Sequence, residues 1–115
     1  MFKKLKTVIY HVKDLLIAKY WYTEITGIQP YFDEPFYVGF DIHGCELGLD
    51  PDMKNIQRGN QTVSYWAVDD ITGVLKKLSQ NGATIIQPKT NVGGPIQVAI
   101  VTDPFGNNIG LIEGA

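Results

Sequence analysis

Two side chains in this sequence could do acid–base or ligand chemistry from comparable positions, His11 in the first apolar run and Glu46 in a later one. An imidazole titrates near neutrality and can carry a proton or bind a cation. A carboxylate can do the same work, and an apolar setting would raise the pKa of Glu46 and suit it to acid–base catalysis without a metal. The remaining reactive residue types are poorly placed. Cys45 has no basic neighbour to lower its pKa and reads as a small buried hydrophobe. His43 stands beside Gly44 in a turn, and Gly93-Gly94 lacks both the Lys-Ser/Thr and the following helix of a phosphate-binding loop. There is no Ser-His-Asp set and no Cys/His cluster with metal spacing. Aromatic side chains are concentrated instead: Tyr31, Phe32, Phe36, Tyr37 and Phe40 crowd one segment, with Tyr65 and Trp66 in another. They offer stacking surface rather than reactivity.

The elements that must hold these residues follow from periodicity. Leu5 to Val12 alternates as a strand, with Val8, Tyr10 and Val12 on one face and Thr7, Ile9 and His11 on the other. Asp14 is placed as a helix N-cap, Leu15, Ala18, Trp21, Tyr22 and Ile25 form a helical stripe, and Gly27 suits a left-handed C-cap. Pro30 and Pro35 bracket a loop. Phe36 to Ile42 reads as a strand, His43-Gly44 as a turn, and Cys45 to Leu49 as the returning strand, on which Glu46 shares the parity of Gly48. A polar connection runs through Asp50-Pro51-Asp52 and from Asn55 to Asn60.

From Gln61 the pattern restarts. Thr62 to Val68 is a strand with Val63, Tyr65 and Ala67 on one face, and Trp66 and Val68 toward a helix. Asp70 is the next N-cap, Ile71, Val74, Leu75 and Leu78 the stripe, and Gly82 the C-cap. Thr84 to Gln87 is strand-like, Lys89 to Pro95 a Gly-rich loop, and Ile96 to Val101 pairs with Ile109 to Ile112 across Asp103-Pro104-Phe105-Gly106-Asn107. Val12-Lys13-Asp14 matches Val68-Asp69-Asp70, Gly27 matches Gly82, and Gly48-Leu49 matches Gly110-Leu111, all in the same order. A period near half the chain predicts two copies of one unit, about 1–55 and 60–115, within a single α+β domain spanning 1–115.

Composition narrows the partners. At 115 residues the chain can bury a core, and a formal net charge of −2 with a pI near 5.5 provides no basic field for nucleic acid or an anionic membrane. A single cysteine excludes an internal disulfide and fits a reducing cytoplasm. No apolar run approaches the ~20 residues that span a bilayer.

Three ordered stretches carry a resemblance: Val12-Lys13-Asp14 with Tyr20 to Gly27, Val68-Asp69-Asp70 with Leu78 to Ala83, and Asp103 to Glu113. Together they resemble the vicinal oxygen chelate superfamily of glyoxalases, bleomycin-resistance proteins and extradiol dioxygenases. The resemblance implies an α+β fold of two tandem βαβββ modules forming a curled sheet around a cavity, often in a homodimer. It also implies where metal-using members place their four ligands, here Thr7, Val63, Gly48 and Gly110. Those residues provide at most one weak donor, where a divalent cation needs several N or O ligands. The expectation is a small-molecule-binding protein without the standard metal site and without a cofactor. Its ligand-binding residues are expected to be Thr7, Ile9, His11, Tyr31, Phe36, Glu46, Gly48, Val63, Tyr65, Gln97, Asn108 and Gly110. A metal-dependent lyase or dioxygenase with a shifted site at His11 and Glu46 is the alternative.

Overall fold

A computed structural model of the protein describes residues 1–54, 56 and 62–115. The expected polar connection at Asn55 and through Asn60 therefore lies largely outside the described residues. The backbone falls into two compact units, Met1–Arg58 and Gly59–Ala115. Each holds one helix and one four-stranded mixed sheet, an α+β architecture in tandem βαβββ form.

The first unit runs β1 (Thr7–His11), α1 (Leu15–Thr26), β2 (Phe32–Glu34), β3 (Tyr37–Ile42) and β4 (Cys45–Asp50). Its sheet order is β1-β4-β3-β2, with β1 parallel to β4 and the other pairs antiparallel. Asp14 caps α1 as the sequence predicts: its Oδ1 accepts the Ile17 amide at 3.1 Å. Gly27 ends the helix at φ 70°, a conformation that costs glycine little, and its amide reaches Thr23 O. Ala18 and Tyr22 on α1 are buried, as are Tyr10, Val38, Phe40, Leu47 and Leu49 on the sheet. Enclosing a side chain such as Phe40 contributes about 1.5–3 kcal/mol. The opposite face of this sheet carries Thr7, Ile9, Glu46 and Gly48, so the alternation read in β1 and β4 places these residues together.

The loop expected between Pro30 and Pro35 contains β2, a three-residue strand paired only to β3. Its brevity and flanking prolines hide it from any periodicity, and it forms because an edge position tolerates residues without a ladder partner on one side.

The second unit repeats the order with β5 (Ser64–Ala67), α2 (Ile71–Gln80), β6 (Thr84–Gly93), β7 (Ile96–Thr102) and β8 (Asn108–Glu113), and its sheet runs β5-β8-β7-β6. The register confirms the repeat residue for residue: Ile9 pairs with Gly48 as Tyr65 pairs with Gly110. The expected Gly-rich loop at Lys89 to Pro95 is mostly strand. β6 continues to Gly93 through three register shifts, and Pro88, which has no amide to donate, is accommodated on this edge strand.

Asp70 has the extended backbone of an N-cap but makes no side-chain capping bond. Glu113, at the end of the neighbouring parallel strand, supplies the carboxylate instead, and its Oε1 accepts the Ile71 amide at 2.8 Å. A carboxylate on an orphan amide at the positive helix end is stabilising. Glu113→Ala is expected to cost about 1–2 kcal/mol in urea denaturation, more than Asp70→Ala measured alongside it. The closing hairpin is as the sequence predicts. Asp103 N donates to Asn107 O at 2.8 Å, and Gly106 takes φ 91°.

Candidate functional site

Four side chains meet on the helix-free face of the first sheet. Thr7 on β1 and Glu46 on β4 are register partners, and the Thr7 hydroxyl donates to Glu46 Oε2 at 2.8 Å. The Tyr37 hydroxyl donates to the same oxygen at 2.8 Å, and the Tyr31 hydroxyl donates to Oε1. One carboxylate thus receives three hydroxyl hydrogens.

Two glycines make this possible. Gly39 and Gly48 are paired on adjacent strands and leave a strip of sheet without side chains. A Cβ on Gly48 would lie 1.8 Å from the Tyr37 hydroxyl oxygen, and one on Gly39 would lie 2.9 Å from Glu46 Oε1 and 3.1 Å from the Tyr31 ring. The tyrosines lie across that strip to reach Glu46. Phe32 and Phe36 extend the surface, with ring centroids 6.0 Å apart and Phe32 6.1 Å from Tyr37 in edge-to-face contact. Tyr31 and Phe36 remain 65% and 66% exposed.

The electrostatics reverse one expectation. The Glu46 carboxyl is held below its usual range, chiefly by the Tyr31 hydroxyl, with Thr7, Tyr37 and Lys6 adding to the effect and partial burial opposing it. Glu46 is therefore not the raised-pKa acid that an apolar cavity would create. Burial and the bond to Glu46 push Tyr37 up to about 12, and the bond to Glu46 raises Tyr31. Because the folded-state pKa of Glu46 lies below its ordinary 4.5, the cluster's contribution to stability is present above that value and lost as pH falls through the folded pKa. Carboxyl NMR titration should give a Glu46 midpoint below that of an unstructured glutamate. The stability gap between wild type and Glu46→Gln should narrow toward low pH.

His11 does not join this cluster. Its Nδ1 donates to Asp52 O at 2.8 Å, and it pairs with Asp50, four register steps from Glu46, or about 13 Å along the strands. The two cannot share a metal ion, which removes the shifted His11–Glu46 site.

In the second unit Tyr65 lies over Gly110, whose Cβ would sit 2.7–2.9 Å from ring atoms Cδ1, Cε1 and Cγ. The space left by Gly48 and Gly110 is thus occupied by tyrosines. Val63 lies just before β5 and is half-buried. Asn108 shares the face of Tyr65, but its Oδ1 accepts the Thr102 hydroxyl at 3.1 Å at the strand end. Gln97 lies on the other face, in line with Ala99 and Val101 and opposite Glu113, so it stands apart from Tyr65.

The sequence reading missed Tyr37 and Gly39 as parts of the site. A signal existed: a two-residue turn at His43-Gly44 pairs Ile42 with Cys45 and so dictates that Gly39 faces Gly48. A groove of about 410 Å³ lies on the opposite, helix-bearing side of this sheet, lined by residues including Leu15, Lys19, Asp33 and Val38. It contains none of the sequence-proposed site residues, and a Lys19–Asp33 ion pair of 3.0 Å crosses it.

The donor set does not fit the divalent metal that the fold family implies. Gly48, Gly110 and Val63 have no side-chain donor, both Glu46 oxygens face hydroxyl hydrogens, and no group of three or more His, Cys, Asp or Glu gathers among the described residues.

Sequence and fold agree on the class. The profile of the Glyoxalase/Bleomycin resistance protein/Dioxygenase superfamily matches residues 4–111, and the chain belongs to that superfamily. A structure of a glyoxalase/bleomycin resistance protein/dioxygenase family enzyme from Burkholderia phytofirmans superposes with a TM-score of 0.83 at 16% identity, covering 98% of this chain and 100% of that one. The fosfomycin resistance protein FosX from Listeria monocytogenes gives 0.81 at 15% identity over 100% and 96% of the two chains. In sequence the chain is 26% identical to "Putative glyoxylase CFP32" of Mycobacterium bovis over 107 residues, 85% of this chain but only 41% of that protein. No helix among the described residues is long and apolar enough to cross a membrane.

Proposed function

We propose that this protein binds a small organic molecule on the aromatic, helix-free face of its sheets and does so without the divalent metal centre of its metal-dependent relatives. The observation that carries this reading is the filling of Gly48 and Gly110, the positions that resemblance assigns to metal ligands, by the side chains of Tyr37 and Tyr65. In the first unit, exposed Tyr31 and Phe36 beside a few fixed polar groups form the kind of surface that takes a planar or amphipathic ligand, and the second unit exposes Tyr65 on its own sheet. The reading includes a homodimer, in which a second chain would cover this face, and a cytoplasmic location in keeping with the lone Cys45. Nucleic acid is not a partner in this reading, since the net charge is −2.

Elemental analysis of protein purified without chelator tests the metal-free part. We expect no stoichiometric zinc, nickel, manganese or iron, and no uptake on equilibrium dialysis against each. Retention of one equivalent would refute the reading.

A further inference from the structure

We infer that the ligand of the first module's face is an organic cation, an alkylammonium or guanidinium on a planar apolar body, whose charged head docks on Thr7, Tyr31, Tyr37 and Glu46. This rests on the reading that the face binds a small molecule, and it adds the chemical class of that molecule.

Hydrogen-bond direction is the decisive observation. A hydroxyl has one hydrogen, and an ionised carboxylate only accepts. Tyr31 spends its hydrogen on Oε1 of Glu46, and Thr7 and Tyr37 spend theirs on Oε2. What the four groups present outward is therefore acceptor lone pairs around a negative charge. A ligand carboxylate, phosphate or carbonyl would face lone pairs with lone pairs. An ammonium or guanidinium is the complement, because it has several donors, no acceptor and a positive charge.

The surroundings favour the same ligand. Oε1 carries one of the three hydroxyl bonds and Oε2 two, so Oε1 has the larger unspent capacity. Asp41 is the register partner of Glu46 on β3 and adds a second negative charge, its Oδ1 accepting the Gly44 amide at 2.8 Å. Two lysines weaken this field: Lys6, which precedes Thr7 with opposite strand parity, and Lys4, whose Nζ donates to Gly44 O at 3.4 Å on the turn that Asp41 holds. Ring faces attract cations within about 6 Å; Tyr31 and Tyr37 hold two rings beside the carboxylate, and Phe32, 6.1 Å from Tyr37, and Phe36, 6.0 Å from Phe32, continue the aromatic surface away from it. Ile9, 45% exposed and paired with Gly48, extends the apolar floor for the rest of the ligand.

The test uses the full chain and three probes of one shape: naphthylmethylammonium, neutral naphthylmethanol and anionic naphthoate. Binding is followed by the NMR signals of the Tyr31 and Tyr37 rings. The cation should bind at least about tenfold more tightly than the alcohol, and the anion should be weakest. Glu46→Gln should erase the preference for the cation, and Tyr37→Phe, which removes one acceptor but keeps the ring, should reduce it. The wild-type comparison stands even if a variant folds poorly. Equal or tighter binding of the alcohol or the anion overturns the inference, as does a preference that survives in Glu46→Gln or silence of both tyrosines toward all three probes. Binding of alcohol and cation alike leaves the small-molecule reading intact and removes only the cation, whereas metal retention on dialysis removes the metal-free reading itself.

Discussion

Asp103→Ala is expected to lower the unfolding free energy by about 3 kcal/mol, while Asp103→Asn costs under about 1 kcal/mol. Asp103 is 3% exposed, and its Oδ1 accepts two turn amides, Phe105 N at 2.9 Å and Asn107 N at 2.8 Å. Alanine would leave both amides without that partner in a turn whose Phe105 and Asn107 are half-buried, and each bond to a charged acceptor is worth about 1.5–3 kcal/mol. The two losses overlap, because a turn that opens for one amide lets water reach the other, so the expected total falls below their sum. Asparagine keeps an oxygen at the Oδ1 position and loses only the charge. Urea denaturation of the three proteins checks this, and an alanine variant as stable as the asparagine one would show that the backbone bond from Asp103 N to Asn107 O suffices alone.

That turn was legible in the sequence because every determinant is local. Asp-Pro, a glycine at positive φ and two β-branched runs specify it within a dozen residues. Asp14 and Gly27 bound α1 for the same reason. The features that escaped depend on neighbours distant in sequence. β2 exists because β3 offers it a ladder. The cap on Ile71 comes from Glu113, which only the parallel pairing of β5 with β8 brings near.

Gln97 illustrates a different limit. β7 is apolar on both faces, with Val98 and Ile100 on one and Ala99 and Val101 on the other, so alternation cannot say which way a polar residue in it points. The candidate site was half readable for a related reason. Strand parity groups Thr7, Ile9 and Glu46, whereas the drop in the Glu46 pKa depends on two tyrosine hydroxyls delivered across glycines on two strands. Burial alone predicts the opposite sign. Three hydroxyl donors outweigh it.

Gly110→Glu restores a carboxylate where metal-using relatives are expected to have one, and it should produce a less stable protein that still takes up no stoichiometric metal. The new Cβ would lie within 2.9 Å of the Tyr65 ring, including Cγ at its root, so no movement confined to the tip of that side chain relieves the overlap. Tyr65 must leave its rotamer, at about 1–3 kcal/mol for overpacking a buried strand position. A retained carboxylate would still lack partners in its own module. Val63 offers no donor, and Asn108 is committed to Thr102. One carboxylate does not hold a divalent ion against water, whereas several ligands at fixed distance do. Adding Tyr65→Ala to Gly110→Glu should recover part of the stability by removing the clash, without conferring metal binding. Chemical denaturation with zinc and manganese dialysis of both variants reads the two effects separately. Stoichiometric uptake by Gly110→Glu alone would show that the remaining ligands are present after all and that only this glycine separates the protein from its metal-dependent relatives.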